Sequence, residues 1–203
     1  MANTLARRRD ASEHDAMNTD TGRDTADDPG AWARPAPGET PAAPPVTVRL
    51  ALPTDAPAIA AVHQTSRQAT MPYLPPQRRT HDEVTRWIRE IVLPQCHTFV
   101  ATRGPELLGY AAVQGDLLDQ LYLRPDVRRR GIGTLLLDAA RRHRPGGLYL
   151  HVFQLNTDAR AFYAHHGFRV VSADDGSANM ENLPDLTLRW TPVPRPRFPR
   201  GNP

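Results

Sequence analysis

Leu118-Asp-Gln-Leu-Tyr-Leu-Arg-Pro-Asp-Val-Arg-Arg-Arg-Gly-Ile-Gly133, followed by Thr134-Leu-Leu-Leu137, is the stretch from which the fold is read. Leu118 to Leu123 has the apolar character of a buried strand. Pro125 cannot continue a strand and biases Arg124 towards an extended conformation. Gly131 and Gly133 then remove side chains where a helix begins. The first turn of a helix leaves backbone N–H groups unpaired and carries partial positive charge. Without Cβ atoms, that backbone admits an anion at close range. The stretch therefore predicts a phosphate or diphosphate site, flanked by Arg128, Arg129 and Arg130. A dinucleotide fingerprint needs a third glycine where Leu136 stands, and a Walker loop needs a lysine, which this chain lacks altogether. Taken alone, the two glycines are equally compatible with a tight strand-to-helix turn that binds nothing.

A second stretch narrows the reading. Arg128-Arg-Arg-Gly131-Ile-Gly133 resembles the R/Q-x-x-G-x-G/A signature of the GNAT superfamily of N-acetyltransferases, behind a strand ending in L-Y-L-x-P. Asn156-Thr-Asp-Ala159-Arg-Ala-Phe162-Tyr163-Ala-His-His-Gly167-Phe168 resembles that family's N-x-x-A-x-x-F-Y-x-x-x-G-F segment. The motifs stand in the family's order, with an apolar strand, Leu148 to Phe153, between them. The resemblance covers residues 46–191. It implies an α/β fold with a mixed, mostly antiparallel sheet of about seven strands flanked by about four helices. It also implies acetyl-CoA as co-substrate, no metal, and direct transfer of acetyl to an amine in a ternary complex. By the same resemblance the backbone of Leu121, Tyr122 and Leu123 holds the pantetheine arm where two strands splay apart. Arg128, Arg129, Arg130, Gly131, Ile132, Gly133 and Thr134 surround the diphosphate. Asn156 caps a helix and reaches the cofactor, and Tyr163 donates a proton to the departing thiolate. Plain helix packing for Phe162-Tyr163 and plain capping for Asn156 are the competing explanations.

Composition sets the compartment and partners. The 203 residues suffice for one domain with extensions, and hydrophobic content is 39%. The single cysteine, Cys96, excludes an internal disulfide framework and reads as a small core residue. No apolar run spans a membrane and the N-terminus lacks a signal-peptide core, so a cytoplasmic protein is expected. Residues 1–45 hold 5 Arg against 8 acidic residues, while the remainder holds 20 against 14. That basic excess clusters at 124–130 and 141–144, which suits a polyanionic cofactor; no nucleic-acid motif accompanies it.

The rest of the chain fills in around these motifs. Residues 1–45, rich in Ala, Asp, Arg and Pro, are expected to be disordered, including Arg7-Arg8-Arg9 and Trp32, and 192–203 form a proline-rich tail. Val46 to Leu52 reads as a first strand, Thr54 as an N-cap, and Ala56 to Ser66 as a helix with Ile59, Val62 and His63 inward. The 68–80 loop contains Met71, Tyr73 and Leu74, candidates to line the acceptor site. Thr80 and Glu83 form a capping box before a helix whose Val84, Trp87, Ile88 and Ile91 face inward. Strands follow at 97–101 and 107–113, and the helix after Gly131 is expected to bury Ile132, Leu135, Leu136, Ala139 and Ala140. Thr157 to His165 is a helix, and two last strands cover 168–172 and 185–190.

Transfer from a thioester to an amine needs a proton acceptor as well as a donor. Asp116 and Asp119 are the candidates for the acceptor, Asp119 alternating with Leu118 and Gln120, and His151 is a further one. The leading function is an acetyl-CoA-dependent N-acetyltransferase acting on a small-molecule or peptide amine. The alternatives are a catalytically silent acyl-CoA-binding module and an Arg-rich nucleic-acid-binding protein. The acceptor site falls to the 66–80 and 174–184 loops and, in a homodimer, to a partner copy.

Overall fold

The computed structural model describes residues 44–177 and 179–192. The expected N-terminal extension and C-terminal tail, apart from residues 44, 45 and 192, lie outside the described residues. The chain runs β1 (Thr47–Leu50), α1 (Ala56–Thr70), α2 (His81–Trp87), α3 (Leu93–Gln95), β2 (His97–Arg103), β3 (Glu106–Gln114), β4 (Leu117–Leu123), α4 (Ile132–His143), β5 (Leu148–Phe153), α5 (Thr157–His165), β6 (Arg169–Asp174) and β7 (Asp185–Trp190). The seven strands form one sheet in the order β1-β2-β3-β4-β5-β7-β6. Neighbours are antiparallel except β4 and β5, which are parallel. This is the mixed α/β sheet that the sequence implied.

The sheet is covered on both faces. One core gathers Leu121, Leu123, Leu136, Leu137, Leu150, Tyr163 and Phe168 from the strands, α4 and α5. The other gathers Ile59, Val62, Met71, Val84, Ile88, Tyr110, Tyr122 and Phe153 under α1 and α2. Strand β4 supplies both, Leu121 and Leu123 to the first and Tyr122 to the second, because side chains alternate across a strand. This double burial explains why the stretch is apolar rather than alternating.

Local structure departs from the sequence reading in four places. Helix α1 continues to Thr70 rather than ending at Ser66, and Met71 leaves the helix with its N–H still bonded to the Arg67 carbonyl. Thr54 is not an N-cap. A 3-10 turn, Pro53–Asp55, precedes the helix, and the Asp55 carboxylate accepts from the Leu52 N–H at 2.7 Å. Helix α2 does open on the Thr80–Glu83 capping box, with N···O distances of 2.7 and 3.3 Å. It then passes through a π-helical turn at Ile88–Val92. The extra residue in that turn shifts the apolar phase, so Val84, Ile88 and Val92 are buried while Trp87 and Ile91 are only partly so. In α4, Leu137 is buried and Leu135 is 42% exposed.

The pairing of β3 with β4 leaves no room at Gly109, which faces Leu123. A Cβ there would stand 2.7 Å from the Tyr122 carbonyl oxygen and 2.4 Å from Leu123 Cδ2. Gly109→Ala is expected to lower stability by about 1–3 kcal/mol through this overpacking. Thermal unfolding measures the loss, and an unchanged midpoint refutes the close approach.

Candidate active site

Strands β4 and β5 pair only at their start. Leu117 opposes Tyr149, and the Tyr149 N–H donates to the Asp116 carbonyl at 2.9 Å. Beyond this point the two strands part. Asp116 is exposed at the closed end of the split, in the turn before β4. Leu121, Tyr122 and Leu123 lie further along, where β4 is bonded to β3 on its other edge.

The segment after β4 is shaped for an anion. Arg129 has φ +60° and Gly131 φ +78°, both left-handed, on the approach to the first turn of α4. Alternating right- and left-handed residues turn successive N–H groups inward, and the helix N-terminus adds its positive end. A cavity of about 380 Å³ lies against this turn, lined by Leu121, Leu123, Arg128, Arg129, Gly131, Gly133 and Thr134 on one side and by α5 on the other. Gly133 is tightly packed, since a Cβ there would press the Phe162 ring at 3.3 Å. Asp158 crosses the mouth to pair with Arg128 at 2.7 Å and Arg129 at 3.6 Å. The Arg128 hydrogen bond holds the Asp158 carboxyl below its ordinary range, burial opposing. Arg130 is exposed, and the Ile132 side chain is buried in the core behind the cavity. The cavity, its amides and its arginines fit a diphosphate carried on a long chain.

Helix α5 closes the other wall. Asn156 is buried at its N-cap, and its side-chain oxygen accepts from the Ala159 N–H at 3.2 Å. Tyr163 is fully buried, with Phe162 and Phe168 at ring distances of 5.2 and 5.3 Å. His166, not anticipated from the sequence, ties the two helices together. Its Nδ1 lies 2.9 Å from the Phe162 carbonyl and must donate there, and its Nε2 lies 3.1 Å from the Thr134 hydroxyl. His165 and His166 both line the cavity.

On the opposite face of β4, Met71 and Leu74 are buried core residues, 1% and 7% exposed. Tyr73 is half-buried, edge-on to Phe153 at 6.1 Å, and its hydroxyl is buried without a partner. Burial pushes its phenol up to about 12 against the pull of Arg67. Arg67 reaches across to Glu181, between β6 and β7, at 3.5 Å; the second Glu181 oxygen is buried with no donor. Burial raises the Tyr122 phenol well above its ordinary value; Arg67 opposes this, and Asp119, Glu181 and Tyr163 add to it. Tyr122 therefore sits electrostatically among residues from α1, α5, β4 and the β6–β7 connection.

The sequence alternation had set Asp119 and Gln120 on opposite faces of β4. A β-bulge brings them together instead. Gln120 pairs with Ala112 and Leu118 with Val113, so the intervening Asp119 falls outside the register. Gln120 Nε2 then donates to Asp119 Oδ2 at 3.1 Å. The Tyr110 hydroxyl donates to Gln120 Oε1, and His63 Nδ1 lies 2.9 Å from the same hydroxyl. His63 and Gln120 are 8% and 4% exposed, and Tyr110 is fully buried. His151 on β5 lies 3.2 Å from the Thr187 hydroxyl on β7.

Comparison with known proteins gives this arrangement its family. A family model described as an acetyltransferase (GNAT) domain matches residues 94–170. The peptidyl-lysine N-acetyltransferase YjaB of Salmonella typhimurium is 36% identical over 104 residues, 47% of this chain and 71% of that protein. The peptidyl-lysine N-acetyltransferase YiaC of Escherichia coli is 30% identical over 107 residues, 52% of this chain and 71% of that protein. The solution structure of apo YjaB from Escherichia coli superposes with a TM-score of 0.58 at 26% identity, covering 71% of this chain and 96% of that one. The chain belongs to the GNAT family of acetyltransferases. It is an acetyl-CoA-dependent N-acetyltransferase. Among the described residues, no helix is long and apolar enough to cross a membrane.

Sequence reasoning placed His63 inward but not in a hydrogen-bonded chain. Burial, followed by the charges of Arg67 and Arg79, lowers its imidazole from 6.5 to about 3. Between these values the unfolded chain takes up a proton that the native state refuses. The stability contribution is therefore complete above pH 6.5 and is lost as pH falls, at up to about 1.4 kcal/mol per pH unit. Urea titrations at pH 7.5 and 5.0 should show wild type losing about 2 kcal/mol more than His63→Gln. Equal losses in the two proteins would mean that His63 is protonated in the fold.

Proposed function

We propose that this chain transfers acetyl directly from acetyl-CoA to a primary amine, with the lysine side chain of a peptide as the favoured acceptor. The observation that carries the reading is the parting of β4 from β5 beside the arginine-lined cavity at the start of α4. The names of the relatives at 36% and 30% identity support the peptide-lysine acceptor.

In this reading acetyl-CoA supplies an acyl group already activated as a thioester. Arg128, Arg129, Arg130 and the backbone from Gly131 to Thr134 hold its diphosphate. The backbone of Leu121, Tyr122 and Leu123 lines the pantetheine arm, and Asn156 orients α5 beside it. Asp119 takes the proton of the incoming ammonium, and the Tyr163 hydroxyl gives one to the departing thiolate. Asp116, exposed at the closed end of the split, is the alternative acceptor of the ammonium proton and can pass it to solvent. Tyr73 offers its hydroxyl to the acceptor, with Met71 and Leu74 shaping the floor beneath it. Glu181 directs its second, donor-free oxygen to the acceptor ammonium, with Arg67 anchoring the first.

Calorimetric titration of acetyl-CoA into wild type, Gly131→Asp and Gly133→Asp tests the nest. Gly131 has open space around it but a left-handed φ, and Gly133 has Phe162 against it, so the two variants fail for different reasons. At least tenfold weaker binding is expected in both. Release of CoA thiol with lysine peptides and small amines then tests transfer, and Tyr163→Phe should lower kcat by about 100-fold. Binding without turnover on any amine would instead support a silent acyl-CoA module.

Glu181→Gln keeps the side-chain shape and removes the charge. It should raise KM for the amine by about tenfold and leave acetyl-CoA affinity unchanged. A KM for the amine equal to wild type rules Glu181 out as the ammonium's partner.

A further inference from the structure

The buried chain on the α1 side of β4 has a direction, and the direction assigns it a task. An ionised carboxylate only accepts, so the Gln120 amide must turn its nitrogen to Asp119 and its oxygen to Tyr110. That oxygen also only accepts, so the Tyr110 hydroxyl donates to it. The hydroxyl hydrogen is then committed, and its oxygen receives the Nδ1–H of His63. Every link is fixed by the one before it, starting from Asp119. The primary amide in the middle has no proton to pass on at neutral pH, so the chain does not conduct protons. It holds a geometry.

We infer that His63, Tyr110 and Gln120 are positioning residues that fix Asp119 at the β4 bulge as the proton acceptor for the incoming amine. The inference rests on the acetyltransferase reading above and deepens it. Asp119 stands out of register at the bulge, where a side chain is re-aimed and not held by the ladder. A short carboxylate there needs a fixed donor, and Gln120 is braced from behind by residues on β3 and α1. The groups that feel the Asp119 charge are Cys96, before β2, Tyr110 on β3 and Tyr122 on β4. All three are weak acids that burial keeps neutral, and beyond them Arg67 and Glu181 act on Tyr122. His63, between Trp87 at 5.5 Å and Tyr122 at 4.8 Å, stays neutral and keeps its Nδ1 hydrogen.

The test uses the full chain, acetyl-CoA and a lysine peptide, with kcat and KM measured from pH 4 to 10. Asp119→Asn should remove the acid limb of the kcat profile. Tyr110→Phe deletes one buried oxygen and should lower kcat about tenfold or more without changing KM for acetyl-CoA. Gln120→Glu sets a second carboxyl beside Asp119 and should move the acid limb up by about one pH unit or more. Circular dichroism melts certify the fold of each variant, and Gln120→Met serves if Gln120→Glu fails to fold, with a kcat loss expected. Nitrogen-15 spectra of His63 should show the Nδ1–H tautomer in wild type, whether or not turnover is found. A folded Tyr110→Phe with wild-type kcat and pH profile overturns the positioning role, as does a His63 that carries its hydrogen on Nε2. An active wild type whose acid limb survives Asp119→Asn sinks the inference and leaves the acetyltransferase reading standing. A wild type that binds no acetyl-CoA sinks both.

Discussion

Strand β4 is buried on both faces, yet only one of its edges is paired along its length. Its β3 edge is hydrogen-bonded from Leu117 to Leu123, while its β5 edge meets a partner at Leu117 alone. Buried backbone N–H and C=O groups demand partners, so a strand parted from its neighbour inside a core is a standing site for an extended ligand. The parting also dictates what surrounds it. The connection leaving β4 reaches α4 through left-handed residues at Arg129 and Gly131. A left-handed residue leading into a helix makes a concave run of N–H groups suited to an anion. The proposed anion site is thus tied to how β4 ends, and α5 covers β5 on the same face.

The opposite face of β4 is governed by electrostatics in a poorly solvated interior. A phenol, an imidazole and an amide are buried together there, and each is acceptable only because another satisfies it. Asp119 sets the orientation of the whole series, since a carboxylate cannot donate. The chain and the bulge depend on each other. In a regular strand, adjacent side chains point to opposite faces, and Gln120 would not reach Asp119. Arg141 illustrates the same economy at the sheet's other side, where its guanidinium lies over Trp190 at 4.5 Å and Phe168 at 5.6 Å. Its flat, weakly hydrated group tolerates that packing as an ammonium would not.

What the sequence conveyed follows from what local rules encode. The glycines, the proline and the asparagine cap of α5 act within a turn of themselves, so the β4–α4 and α5 segments were readable residue by residue. Apolar runs gave the strands. Features that depend on distant partners were hidden. The π turn at Ile88–Val92 has no local marker, and it exchanged Ile91 for Val92 in the core. The bulge at Asp119 is a mismatch between two strands, invisible in either alone. Arg67 and Glu181 are 114 residues apart and meet only because α1 and the β6–β7 connection lie together. Half of the candidate site, the cofactor half, is local in this sense; the acceptor half is assembled from α1, β3, β4 and a loop.

Composition joins these halves. All 25 Lys-or-Arg positions are arginine, including those at the proposed diphosphate cradle and acceptor side. An enzyme that moves acetyl groups to primary amines exposes every accessible lysine side chain, its own included, to the reaction it promotes. A guanidinium stays protonated throughout the working range and presents no free amine to an acyl donor. In the proposed reading Arg128 and Arg129 therefore hold a diphosphate without offering an amine to the acyl donor. A lysine in either position would serve the phosphate as a point charge, but it would also stand as an acceptor at the mouth of the site. The fork geometry of arginine adds a second advantage, since Asp158 and a phosphate present similar pairs of oxygens, and one side chain can exchange the first for the second with little rearrangement.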